Sequence, residues 1–167
     1  MIKIIEELPY GIENVKKVEQ IIKENNLDAE IVIHAHQAVT SLQIHLDLYG
    51  GTAEQVLKCL CLVSKGRPLI IMASGEVKID MNKLSKISHM KEIRMANREE
   101  LESLFGRIPG ALDPLTIPKN IPIFADKKLF QKEWVVGSSG SPYAGLKIKS
   151  KEILKIKNPV IDDFAEE

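Results

Sequence analysis

One lysine interrupts an apolar run that has the composition of a buried β-strand. Lys58 lies within VLKCLCLV, residues 56–63, where every other residue is apolar or a cysteine. An unpaired ammonium group is very costly to bury, so its amine must reach a carboxylate, solvent or a polar cavity. Two interpretations stay open: an edge-strand lysine with its amine in water, or a fixed cation at the floor of a pocket. The second would suit a phosphate or a developing oxyanion.

Two loops rich in glycine and proline are further candidates for binding. In GALDP, residues 110–114, a glycine permits close approach of the backbone and a proline stiffens the loop. Such a loop presents backbone groups to a ligand, or it is a plain connector. The hydroxyls and N–H groups of GSSGSP, residues 137–142, could line a pocket or bind an anion, and the alternative is a flexible hairpin loop. No GxSxG motif is present, so no serine is predicted as a nucleophile.

The histidines and cysteines do not form a recognisable metal motif. His34 and His36 would lie on one side of a strand, with His45 or Cys59 as further donors, but the spacing of known zinc motifs is missing. We therefore predict no metal, and we interpret His36 as a donor at a pocket rim or as a structural hydrogen-bonding group. Cys59 and Cys61 are poorly placed to bridge each other, which predicts reduced thiols.

The charge of the chain is balanced, with one basic segment. The sequence contains 23 Lys and Arg and 23 Asp and Glu, so its formal net charge is zero. This excludes a protein that coats polyanions through a global positive field, although a local basic patch remains compatible. Residues 147–157 contain five lysines, which form either a solvated face or a surface that steers a phosphate backbone.

Short strands and short helices must position these residues. The length of 167 residues predicts one domain. Apolar periodicity and capping residues predict helices over 11–26, 42–48, 82–87, 98–105 and 151–156, with Thr40, Asp80, Asn97 and Ser150 as caps. Strands are predicted over 30–34, 56–64, 68–73, 92–96, 121–125, 133–136 and 145–149. Because strands and helices do not alternate regularly, we predict a mixed α/β fold with a closed or strongly curved sheet.

No feature of the sequence predicts a membrane or secreted protein. No apolar stretch approaches the ~20 residues of a membrane-spanning helix. The N-terminus MIKIIEELPYG has acidic residues where a signal peptide needs an apolar run. A cytoplasmic location is therefore expected.

The ordered set of features resembles the YbaK/prolyl-tRNA-synthetase editing-domain family of aminoacyl-tRNA deacylases. The resemblance covers most of the chain, from about residue 29 to residue 156. It rests on His36 before a helix, on Lys58 in VLKCL, on the GxxxP loop from Gly110 to Pro114 after EELESLFG, and on GSSGSPYAGLKI after IPIFADKKL.

The resemblance implies a fold, an activity and a set of site residues. The fold is a compact mixed α/β domain, with a curved mixed sheet or barrel surrounded by short helices. Residues 29–167 form the editing domain, and residues 1–28 form a helical extension packed on it. The activity is hydrolysis of the ester bond of mischarged tRNA, without a cofactor. Lys58 and Gly110 are the implied catalytic residues, and the implied substrate-binding residues are His36, Cys59, Ala111, Leu112, Pro114, Ser138, Ser139 and Gly140.

The implied partner is the 3′ end of an aminoacyl-tRNA, with a synthetase as a hypothetical second partner and with no DNA or membrane. The tRNA for proline is favoured, and Cys, Ala, Ser and Thr stay open as the amino acid removed, because Cys59 and residues 138–142 depart from the characterised forms. Two rival functions remain: a non-catalytic module that binds a tRNA end or a synthetase, and a hydrolase of small esters.

Overall fold

The computed structural model describes residues 5–34 and 37–167. Within these residues the α-helices are α1 (Ile12–Glu24), α2 (Leu42–Tyr49), α3 (Met81–Ser88), α4 (Arg98–Phe105) and α5 (Ile153–Ile156). The strands are β1 (Ala29–Ile33), β2 (Leu57–Ser64), β3 (Arg67–Ser74), β4 (Ile93–Met95), β5 (Ile123–Asp126), β6 (Trp134–Ser141), β7 (Ala144–Lys149) and β8 (Val160–Asp162).

Side chains cap the starts of α2, α3 and α4. The expectation that Ser150 caps the last helix was wrong, because its hydroxyl donates to the Lys132 carbonyl at 2.6 Å. The Asp80 side chain accepts the backbone N–H groups of Asn82 and Lys83 at the start of α3. Asn97, the predicted cap of α4, forms a capping box with Glu100. The cap of α2 is Ser41, whose hydroxyl accepts the N–H of Ile44 at 3.2 Å, so the expectation of Thr40 was wrong by one residue.

The strands form two sheets. The first has three antiparallel strands in the order β1-β7-β6. The second has five strands in the order β4-β2-β3-β5-β8, and its β3–β5 and β5–β8 pairs are parallel. The mixed α/β class is confirmed, but the alternative of a closed barrel is wrong, because the strands divide between two separate sheets.

Glycine allows the two sheets to approach each other closely. A single parallel bridge joins Val56, just before β2, to Val136 in β6. A Cβ atom on the adjacent Gly137 would lie 2.7 Å from the carbonyl oxygen of Leu57, which is closer than real Cβ contacts. The start of β2, which carries Lys58, is therefore held against the middle of β6.

Helix α1 is integrated into the core. Val15 and Val18 on this helix have no exposed surface, and the Asn14 side chain donates a hydrogen bond to the Gly140 carbonyl at 3.1 Å. Helix α1 thus contacts β6, and the division into an extension over 1–28 and an editing domain over 29–167 stays a prediction. Among the described residues, no helix has the length and apolar character needed to cross a bilayer.

Strands β6 and β8 differ from the sequence prediction. Residues 137–141 belong to β6, which runs through GSSGS with an irregularity between Ser138 and Ser141, so the expectation of a flexible hairpin loop was wrong. The edge strand β8 was not predicted, and all three of its residues are exposed.

Candidate functional site

Lys58 and Gly110 border the same cavity, which has a volume of about 180 Å³. We call it the inner cavity. It lies where the two sheets meet, and β2, β6, β7, α2 and the loop after α4 all contribute to its wall. The lining residues are Val39, His45, Tyr49, Leu57, Lys58, Cys59, Leu60, Gly110, Leu112, Gly137, Ser138, Ser141, Pro142 and Ala144.

A larger outer groove of about 820 Å³ adjoins the inner cavity. The two spaces share Lys58, Gly110 and His45 in their walls. The outer groove is also lined by Tyr10, just before α1, and by Arg98, at the start of α4. A ligand with a small end and a larger body could thus occupy both spaces at once.

The Lys58 amine is partly buried and has no carboxylate partner within the described ranges 5–34 and 37–167. It donates a hydrogen bond to the backbone carbonyl of Val77. Burial lowers the pKa of this amine, because desolvation disfavours the charged form. The arrangement agrees with the interpretation of a cation at a pocket wall and not with that of a lysine in free solvent.

A buried ion pair fixes the loop that carries Gly110. The Arg107 guanidinium donates to the Asp113 carboxylate at 2.7 Å and to the carbonyl of Ala111 at 2.8 Å. Asp113 also accepts the backbone N–H groups of Leu115 at 3.0 Å and Thr116 at 2.9 Å. Because Asp113 is fully buried and Arg107 is nearly so, the loop is held in one conformation.

Within this loop, Gly110 and Leu112 line the inner cavity, whereas Ala111 and Pro114 are buried outside its lining. Gly110 has a φ of 85°, a left-handed conformation that favours glycine. Among the described residues, no group accepts the backbone N–H of Gly110, which is exposed. This N–H is therefore available to a ligand.

The predicted binding residues of the segment 137–142 also divide into one that lines the inner cavity and two that do not. Ser138 lines the inner cavity. The hydroxyl of Ser139 is buried and donates to the Ala144 carbonyl at 2.8 Å. Gly140 packs against α1, since a Cβ there would lie 2.6 Å from Cβ of Asn14. Ser139 and Gly140 thus lie outside the described lining, and their substrate-binding role stays a prediction.

Cys59 contributes a neutral thiol to the wall of the inner cavity. Burial, followed by the nearby Asp113 carboxylate, raises the pKa of this thiol well above its usual value. A protonated thiol is a poor nucleophile, which agrees with the expectation that no protein nucleophile is used. His36, the remaining predicted binding residue, lies outside the described residues.

Two residues of α2 in the wall were not predicted from the sequence. His45 and Tyr49 lie one helical turn apart and both line the inner cavity. Their rings meet edge to face, with centroids 4.7 Å apart. Burial lowers the pKa of His45 to about 4 and raises the pKa of Tyr49. The pattern of this helix gave no functional signal, because a histidine and a tyrosine on an apolar face are ordinary core residues.

The lysine-rich segment is largely engaged in contacts with the protein. Lys149 pairs with Asp28 at 2.9 Å, and Lys157 donates to the Ile117 carbonyl at 2.5 Å. Lys147 lies 5.3 Å from the centre of the Trp134 ring. These contacts favour a structural surface over a free basic patch. The part of the chain that the structure describes also holds no cluster of three His, Cys, Asp or Glu side chains suited to a metal ion.

Comparison with known proteins identifies the family. The model of the aminoacyl-tRNA editing domain matches residues 36–156 of the chain. The chain therefore belongs to the aminoacyl-tRNA editing domain family. The resemblance inferred from Lys58 and the GxxxP loop is confirmed, and so, at the level of this family, is the expected class of enzyme, a hydrolase of aminoacyl-tRNA esters.

Individual relatives agree with this assignment. The proposed Cys-tRNA(Pro)/Cys-tRNA(Cys) deacylase EbsC of Enterococcus faecalis is 26% identical over 124 residues, which cover 74% of each chain. The proline–tRNA ligase of Aquifex aeolicus is 29% identical over 83 residues, which cover 50% of this chain and 15% of the ligase.

Solved structures share the fold. A proposed trans-editing enzyme for prolyl-tRNA synthetase superposes with a TM-score of 0.78 at 20% identity, over 92% of this chain and 98% of that one. The hypothetical protein APE2540 gives a TM-score of 0.82 at 23% identity, over 90% of this chain and 99% of that one. At these identities the similarity establishes the fold alone.

Proposed function

We propose that this chain is a trans-acting deacylase that removes a small, wrongly attached amino acid from the tRNA for proline. The observation that carries the proposal is the placement of Lys58 and the backbone of Gly110 in the wall of one inner cavity. Family membership supports the reaction class. The similarity to EbsC and to a proline–tRNA ligase supports the choice of tRNA.

The two spaces fit the two parts of such a substrate. The inner cavity of about 180 Å³ is small and mostly apolar, which suits an aminoacyl group with a short side chain. The outer groove of about 820 Å³ would take the terminal nucleotide. The ester bond would then lie near Lys58 and Gly110, which border both spaces.

The chemistry requires positioning and electrostatic stabilisation more than a nucleophile. Water attacks the ester carbonyl and an oxyanion forms. Its collapse breaks the bond to the ribose oxygen, which leaves as a hydroxyl by taking up the proton that the attacking water loses. The backbone N–H of Gly110, which has no acceptor among the described residues, is a donor for the oxyanion, and the Lys58 amine holds the terminal nucleotide through its phosphate. One such oxyanion donor contributes about 10²–10³ in rate.

Delivery of the tRNA by a synthetase and a cytoplasmic location are further parts of this proposal. A chain with no net charge lacks a long-range field that attracts RNA. A partner that already holds the tRNA would compensate for weak encounter with the free domain.

The test measures deacylation of tRNA for proline charged with Cys, Ala, Ser or Thr, by the wild type and by Lys58→Ala. We expect the wild type to release at least one of these amino acids and Lys58→Ala to lose about 100-fold or more in kcat/KM, because the cation is lost. Lys86→Ala is the matched control, because Lys86 is an exposed lysine of α3 that lines neither space.

Folding of each variant is checked by urea unfolding. Undiminished turnover by a folded Lys58→Ala variant would contradict the role of this residue. Binding of charged tRNA without hydrolysis above background would favour the non-catalytic binding module instead.

A further inference from the structure

The His45 residue is buried, and its side chain makes no hydrogen bond within residues 5–34 and 37–167. The residue is only 7% exposed, and it lines both the inner cavity and the outer groove. In the part of the chain that the structure describes, Ser74 Oγ is the one buried side-chain nitrogen or oxygen without a partner, so the ring nitrogens of His45 keep accessible surface. Because His45 lines both spaces, these nitrogens can hydrogen bond to a ligand bound there.

The neighbours of His45 hold its ring in place without satisfying it. Tyr49 packs against the His45 ring at an angle of 70°. The Tyr49 hydroxyl is in hydrogen-bonding contact with Nε2 of His34, whose Nδ1 lies 3.0 Å from the Gln37 carbonyl. Since a carbonyl only accepts, Nδ1 of His34 donates to it. In the neutral form of His34, Nε2 then accepts the hydroxyl proton of Tyr49.

The charges around the two spaces limit which ligand group fits His45. In the described lining, Lys58 is the charged residue of the inner cavity, and Lys58 and Arg98 are those of the outer groove. No aspartate or glutamate belongs to the described lining of either space. Because burial holds the pKa of His45 near 4, its imidazole is neutral at pH 7, with one donor and one acceptor nitrogen.

We propose that His45 determines substrate specificity by hydrogen bonding to the side-chain hydroxyl or thiol of the amino acid that is removed. A neutral imidazole complements a neutral group that both donates and accepts, which Ser, Thr and Cys carry and Ala lacks. The inference rests on the proposed function, because it assigns the amino acid of the same reaction. It predicts that the chain prefers Ser, Thr or Cys over Ala.

The test compares kcat/KM for Ser-tRNA and Ala-tRNA, which differ by a single oxygen atom, both on the tRNA for proline. We expect the wild type to favour Ser by about tenfold, the worth of one net hydrogen bond to a neutral group. His45→Phe keeps a ring against Tyr49 and should abolish this ratio. His45→Gln keeps a donor and an acceptor and should retain part of it. Gln43→Ala, on the exposed face of α2, should keep the wild-type ratio.

Three results would overturn the inference. An unchanged Ser-to-Ala ratio in His45→Phe would show that His45 does not contact the side chain of the amino acid. If His45→Phe and His45→Gln lose the ratio equally, the preference for Ser depends on the packing of His45 and not on a hydrogen bond. A third arm uses tRNA that ends in 2′-deoxyadenosine, since the ribose also offers a hydroxyl. Suppose that His45→Phe lowers kcat/KM equally for Ser-tRNA and Ala-tRNA, and that it has no effect on the substrates that end in 2′-deoxyadenosine. The hydrogen-bond partner of His45 is then the ribose hydroxyl. Absence of hydrolysis of every ester by the wild type would instead refute the proposed function.

Discussion

Removal of the Asp113 carboxylate should destabilise the protein severely. This carboxylate has no exposed surface and accepts hydrogen bonds from the Arg107 guanidinium, from two backbone N–H groups and from the Thr116 hydroxyl at 2.6 Å. In Asp113→Ala the guanidinium, whose residue is 6% exposed, loses its counter-charge. Breaking a buried pair in this way costs about 3–5 kcal/mol, a large part of the ~5–15 kcal/mol that stabilises a typical domain.

The assay is equilibrium unfolding in urea. The dependence of the free energy of unfolding on urea concentration is compared between variants. Glu54→Gln is the matched control, because Glu54 pairs with Lys132 at 2.9 Å while both side chains are about half exposed. That exposed pair should contribute less than about 1 kcal/mol. The double variant Arg107→Met/Asp113→Leu should be less destabilised than Asp113→Ala, because no unpaired charge remains. A loss below about 1 kcal/mol for Asp113→Ala, equal to that of the control, would refute the assignment of a rigid loop to this ion pair.

Two further predictions concern α2 and its surroundings. Since burial lowers the pKa of His45 from 6.5 to about 4, the unfolded chain binds more protons between these values, so stability falls as the pH drops through this window. Between pH 7 and pH 4.5 the free energy of unfolding, measured in urea, should fall by about 2 kcal/mol more in the wild type than in His45→Gln. An equal fall in both proteins would contradict a neutral buried imidazole. In Gly145→Ala the new Cβ would lie 2.5 Å from the Tyr49 hydroxyl oxygen, which should cost about 1–3 kcal/mol of stability. Part of that loss should return in Gly145→Ala/Tyr49→Phe, and no recovery would show that the loss does not arise from contact with the Tyr49 hydroxyl.

Features that depend on neighbouring residues were predictable from the sequence. The caps at Asp80 and Asn97 are local, since each side chain bonds to backbone two or three residues away. Lys58 was identified because a charge inside an apolar strand is a conflict that only a polar environment resolves. The loop from 110 to 114 was identified from its glycine and proline, but the Arg107–Asp113 pair that fixes it was not predicted.

Features that depend on distant parts of the chain could not be predicted. GSSGS has the composition of a loop, yet it continues β6 because small residues let Leu57 and α1 approach from either side. The proposed role of His45 depends on Tyr49 in α2, on His34 just after β1, and on the missing side chain at Gly145 in β7. These residues meet only in the folded protein, and their spacing along the sequence does not predict the contact.

The state of the Cys59 sulfur bears on how this site withstands oxidative stress. Peroxides attack the deprotonated form of cysteine, and burial beside Asp113 keeps Cys59 protonated. The pairing of β2 and β3 further places Cys59 opposite Met72, within a strand and not on a mobile tip. The Cys59 thiol should therefore stay uncharged and unoxidised in the presence of peroxide, and the wall of the inner cavity should keep its shape.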